Sequence, residues 1–160
     1  MPASPITTYL ARLRAALQTG DATERTHYST LRALPESFTP GVTAPVEPKR
    51  IACGAPDFRV RKGQLLIGYV EAKDVGLNLD EVAASAQLKK RYLPALANLI
   101  LTNYLEFRWY VNGAWRATAH LGRLSDGRVT GSREGTQEAA RPRASALFAA
   151  RGRGAAAGVL

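Results

Sequence analysis

Leu65-Leu66-Ile67-Gly68-Tyr69-Val70 is an unbroken apolar run, and Glu71-Ala72-Lys73 follows it directly. A run this short between polar turns fits a strand buried on both faces, which belongs inside a sheet rather than at its edge. The charges at its end then emerge where open α/β sheets build their sites. Side chains two apart on a strand share a face, so Glu71 and Lys73 point the same way. Upstream, Asp57 opens a second strand after Pro56, and Lys62-Gly63-Gln64 turns the chain. A hairpin of that length sets Asp57 beside Glu71 and Lys73. Two hard oxygen ligands suit Mg²⁺, which keeps several waters and takes few carboxylates. A lysine adds a compact charge able to orient a water or steady a phosphate oxygen. Together they form the equipment of metal-assisted phosphodiester hydrolysis. Taken singly, Asp57 also fits turn chemistry, and Glu71 with Lys73 fits an exposed ion pair worth little. Their common phase and the buried strand between them favour function.

The rest of the chain supplies a helix–strand–strand–helix–strand order. Ile6, Tyr9, Leu10, Leu13 and Leu17 form a helical stripe that Gly20 ends. A second helix is expected over 23–34, with Tyr28, Leu31 and Leu34 apolar and Pro35 as its stop. Prolines and a glycine make 38–49 a loop. A helix is expected over 79–92, ahead of Pro94, and a strand over 99–102. Asn112-Gly113 between two strand-like runs predicts a type I′ hairpin. Phe107, Trp109, Tyr110 and Trp115 read as core residues on those strands, and His27 and His120, which share no motif, read as structural.

Pro56-Asp57 and Glu71-Ala72-Lys73 resemble the signature of the PD-(D/E)xK nuclease superfamily. Gln87 with Tyr92 is similar to the glutamine-bearing helix of its Mrr-like branch. The segment 98–110 resembles one in the N-terminal nuclease module of type IIG and ISP restriction-modification enzymes. In those enzymes the nuclease is fused to an adenine-specific DNA methylase. The resemblance covers roughly residues 5 to 125. It implies a restriction-endonuclease-like α/β core, with a mixed, mostly antiparallel central sheet flanked by helices. The implied activity is Mg²⁺-dependent hydrolysis of DNA phosphodiesters, with Asp57 and Glu71 holding the metal. Lys73 would serve the attacking water and Gln87 would orient a phosphate or water. Glu24 matches an acidic position that completes the metal site in the family, but Asp21-x-x-Glu24 equally reads as a helix-capping pair. Lys89, Lys90 and Arg91 fit phosphate contacts and equally a solvated face.

With 160 residues and 46 % apolar content, the chain is expected to form one domain. The net charge of +9 favours a polyanionic partner, DNA being the economical one. No stretch approaches the ~20 apolar residues of a membrane span, no secretory signal opens the chain, and Cys53 alone makes no intrachain disulfide. These features together fit a cytoplasmic protein. The nuclease-like domain is expected over 1–126 and an Ala/Gly/Arg-rich, disordered tail over 127–160. That tail holds six Arg and two Glu, so it contributes +4 of the excess and the first 126 residues +5.

The chain has neither an Asn-Pro-Pro-Tyr motif nor a glycine-rich S-adenosylmethionine loop, so the family's methylase does not carry over. It reads as a truncated or split part of a larger restriction-modification enzyme, with sequence recognition and methylation in a partner encoded nearby. The alternative is an inactive nuclease-fold remnant that binds DNA or docks on a partner methylase.

Overall fold

The computed structural model describes residues 2–46 and 51–131; the side chain of Glu24 also lies outside the described set. Helix α1 (Pro5–Leu17) starts where the Ser4 hydroxyl accepts from the Thr7 amide and a proline occupies the first turn. Its stripe of Ile6, Tyr9, Leu10 and Leu13 is buried, each large side chain contributing about 1.5–3 kcal/mol. A 3-10 turn (Glu24–His27) leads into α2 (Tyr28–Phe38). Pro35 does not stop α2 but lies inside it. The missing amide costs one helical hydrogen bond. The ring is buried in the same helix as Leu31 and Leu34, and the Ser37 hydroxyl caps the Leu34 carbonyl at 2.6 Å.

Six strands form the central sheet in the order β1 (Val42–Thr43), β2 (Phe58–Lys62), β3 (Leu65–Ala72), β4 (Asn98–Thr102), β5 (Glu106–Val111), β6 (Ala114–His120). Only β3 and β4 run parallel; every other pair is antiparallel. The expected loop over 38–49 therefore contains a short strand, β1, and its residues 47–49 lie outside the described set. The β2–β3 turn falls at Gly63, whose φ of 59° suits a residue without a Cβ. Between β5 and β6, Asn112 and Gly113 take φ of 49° and 79°, the positive pair a type I′ turn demands.

The sheet buries both faces. On one, Phe58, Val60, Val70, Ala72, Ile100 and Phe107 pack with α1 and α2. On the other, Leu99, Leu101 and Tyr110 pack with Leu79, Leu88, Tyr92 and Leu96. Successive residues of β4 thus alternate between the two cores, as a strand buried on both sides requires.

The helix expected over 79–92 is broken. Helix α3 (Leu79–Ala83) ends, a π-helical turn (Gln87–Tyr92) follows, and α4 (Leu93–Ala95) carries Pro94 inside it. Ser85 helps make the break, its hydroxyl accepting from the Leu88 amide at 3.4 Å. Trp115 is 61 % exposed rather than core, because β6 is an edge strand; its indole donates to the Thr118 hydroxyl.

A second hairpin, β7 (Gly122–Ser125) with β8 (Arg128–Gly131), crosses the boundary expected at 126/127. Asp126 and Gly127, at φ 50° and 72°, form its turn. Strand β8 is tied to α1: Val129 is buried in the α1–α2 core, and the Arg14 guanidinium donates to the Val129 carbonyl at 2.7 Å. The remainder of the expected tail, 132–160, lies outside the described residues. Among the described residues no helix is long and apolar enough to cross a membrane.

Candidate active site

Leu65 and Leu66, at the start of β3, are 46 % and 39 % exposed, so the expected burial of the whole run is not met, but Val70–Ala72 at its end are buried on both faces and decide where Glu71 goes. Val70 and Ala72 face α1 and α2, so Glu71 faces the second core, where Tyr92 packs. Strand β3 runs two residues past the apolar run, to Ala72, and Glu71 pairs with Leu101 of β4. The Lys73 amide then donates to the Thr102 carbonyl at 2.8 Å. The backbone of the Glu71-Ala72-Lys73 triplet is thereby fixed by the parallel pair.

Asp57 sits one residue before β2. The register Phe58↔Val70 brings it level with the end of β3, and its Oδ2 accepts from the Ala72 amide at 2.8 Å. Its Oδ1 accepts from the Tyr28 hydroxyl at 2.6 Å. Lys73 Nζ donates to Glu71 Oε1 at 2.9 Å and to Gln87 Oε1 at 3.4 Å. The amide of Gln87 donates in turn to the Tyr92 hydroxyl at 3.4 Å. A π-turn carries about one extra residue per turn, and here Gln87 and Tyr92, five apart, meet on one side. Asp57, Glu71, Lys73 and Gln87 are therefore brought together. Lys89, Lys90 and Arg91 are exposed on the same π-turn. Glu24 begins the 3-10 turn just before Tyr28, but its side chain is outside the described set.

The electrostatics of the cluster centre on Glu71, which is only 4 % exposed. Burial, and then the neighbouring Asp57 carboxylate, push its carboxyl up to about 7. The Lys73 ammonium and the Asp57 backbone amide pull the other way without cancelling the rise. Burial and the fields of Glu71, Asp57 and Cys53 raise the Tyr92 phenol to about 12, so it stays a neutral hydroxyl at neutral pH. Gly54 closes over that ring: a Cβ at this position would lie 3.1 Å from the Tyr92 ring edge.

The donor set fits a hard divalent cation. Glu71 Oε2 is buried with no hydrogen-bond partner among the described residues, and a second carboxylate stands beside it. A cation would offset both the desolvation and the mutual repulsion. No group of three or more His, Cys, Asp or Glu side chains is placed to hold a metal among the described residues. Mg²⁺, however, commonly uses one or two carboxylates and fills its octahedron with water.

Tyr28 was not recognisable in the sequence as part of this cluster, because it shares the apolar stripe of Leu31 and Leu34. His27 stands apart: it is buried edge-on against Tyr104 at 5.3 Å. Burial lowers its pKa, although Asp74 opposes the shift.

A mixed, mostly antiparallel sheet with helices on both faces forms the α/β core expected of a restriction-endonuclease-like fold. A cryo-electron-microscopy structure of a DrdV–DNA complex is similar to it, with a TM-score of 0.63 and 18 % sequence identity. The match covers 91 % of this chain and 14 % of that one, so the chain spans a small part of its neighbour's length. No protein-family model matches the chain, and no curated protein does.

Proposed function

We propose that the chain is the Mg²⁺-dependent DNA endonuclease domain of a cytoplasmic restriction-modification system, of the PD-(D/E)xK type. The observation that carries the reading is that Asp57, bonded to the Ala72 amide, stands beside the buried Glu71 carboxylate, whose Oε1 is bonded to Lys73 and whose Oε2 has no partner among the described residues. Asp57 and Glu71 would hold the Mg²⁺, with Glu24 as a candidate third ligand. The bound ion supplies positive charge to the phosphate and acidifies its waters. Lys73, as an ammonium, would orient the attacking water and steady the charge that builds on the phosphate oxygens. Gln87, bonded to both Lys73 and Tyr92, would hold a water or phosphate oxygen in line. Lys89, Lys90 and Arg91 would neutralise flanking phosphates. The net change is formation of one P–O bond from water, rupture of one P–O ester bond and passage of a water proton to the departing oxygen. A methylase and target-recognition partner would select the DNA sequence.

Cleavage and binding separate under mutation. Asp57→Asn and Glu71→Gln keep side-chain size but remove the charge that binds metal. We expect either change to lower Mg²⁺-dependent cleavage of plasmid DNA by orders of magnitude, while binding in Ca²⁺, read by gel shift, persists. Equal cleavage by wild type and Asp57→Asn would reject the assignment.

A further inference from the structure

We propose that Tyr28 is a positioning residue that holds the Asp57 carboxylate in the orientation the metal needs; this rests on the reading of Asp57 as a metal ligand. The final torsion of an aspartate is broad and unspecified when nothing grips the carboxyl group. Here each oxygen is gripped by a different element. The Ala72 amide of β3 donates to Oδ2 at 2.8 Å, and the phenol at the start of α2 donates to Oδ1 at 2.6 Å. The second distance falls in the short range of a hydroxyl bonded to a charged carboxylate. Each oxygen keeps a further lone pair, so the two bonds orient the group without using up its capacity to bind a cation.

Tyr28 is itself immobilised. It is 7 % exposed, and its ring meets Phe58 edge-on at 5.0 Å and 61°. Phe58 directly follows Asp57 and is 1 % exposed. The ring contact therefore locks the phenol to the strand whose first neighbour is the carboxylate. A buried tyrosine hydroxyl needs some acceptor, but a carbonyl is enough, as Tyr9 shows by donating to the Tyr104 carbonyl at 2.7 Å. Tyr28 instead engages the one carboxylate that the β2–β3 register carries to Glu71. Groups that orient metal ligands from behind in this way commonly contribute ~10–100-fold to metal affinity.

The test is titration calorimetry with Mg²⁺ alone on wild type, Tyr28→Phe and Tyr9→Phe. Tyr28→Phe keeps the ring against Phe58 and removes only the donor. It should bind Mg²⁺ ~10–100-fold more weakly, whereas Tyr9→Phe should match wild type. In cleavage assays Tyr28→Phe should need more Mg²⁺ yet recover most of its rate at saturation. Wild-type affinity in Tyr28→Phe overturns the proposal, as does an equal loss in both variants, which would report general loosening. Failure of wild type itself to bind Mg²⁺ would overturn the metal site and this role with it. Should Tyr28→Phe not fold, fluorotyrosine placed at position 28 gives an independent reading. Its fluorine resonance should shift on Mg²⁺ addition, and no shift overturns the role.

Discussion

Burying Glu71 beside Asp57 has a consequence for stability as well as for chemistry. The Glu71 carboxyl rises from 4.5 to about 7 on folding. Between those values the folded chain binds more protons than the unfolded one. Stability from this group is therefore full below pH ~4.5 and falls as pH rises towards ~7. The group is almost wholly buried, so the loss is on the order of 3 kcal/mol, at 1.36 kcal/mol per pKa unit. Thermal melts of the metal-free protein should show Tm falling across that window. Glu71→Gln should flatten the slope, and saturating Mg²⁺ should reduce it by favouring the charged form. A Tm that rises from pH 4.5 to 7 with a Glu71-dependent slope would mean that Lys73 outweighs burial. Lys73 and Glu71 were legible as a pair because period-two alternation alone puts them on one face. The raised carboxyl was not legible, since it depends on which core that face meets.

At the scale of elements, legibility followed the strength of the local signal. The α1 stripe, the β3 run and Asn112-Gly113 specify their own structures. Pro35 misleads because its cost is local, whereas the burial that offsets it is tertiary. The break in 79–92 has no sequence mark stronger than Ser85, yet it delivers Gln87 to Lys73. The β7–β8 hairpin hides because the boundary expected at 126/127 splits its Asp126-Gly127 turn, and Val129 is its single buried anchor in β8. That gives a test: Val129→Ala should cost about 1–2 kcal/mol, at ~0.8 kcal/mol per buried methylene-sized group plus a small cavity. Denaturant unfolding should register it as a lower midpoint. An unchanged midpoint would detach the hairpin from the α1 core.

For the molecule as a whole, the sheet places the carboxylates at one end of its only parallel pair, β3 and β4. The fold class was legible because a doubly buried strand needs cover on both faces. The partner layer over each face was not, since both cores draw on residues far apart in sequence. The exposed bases of the π-turn adjoin the cluster, and their share of DNA affinity should appear in its salt dependence. Replacing Lys89, Lys90 and Arg91 by alanine should reduce the slope of log affinity against log salt by up to ~3, at ~0.9 per lost phosphate contact. Fluorescence anisotropy in Ca²⁺ at several salt concentrations measures it, and an unchanged slope would assign those residues to a solvated face. Asp57 and Glu71 are proposed to share one divalent cation, and anomalous diffraction from a crystal soaked in Mn²⁺, a stand-in for Mg²⁺, locates it. A single strong peak is expected between the two carboxylates, lost in Asp57→Asn; a Mn²⁺ peak elsewhere, with none between these carboxylates, rules out the shared site.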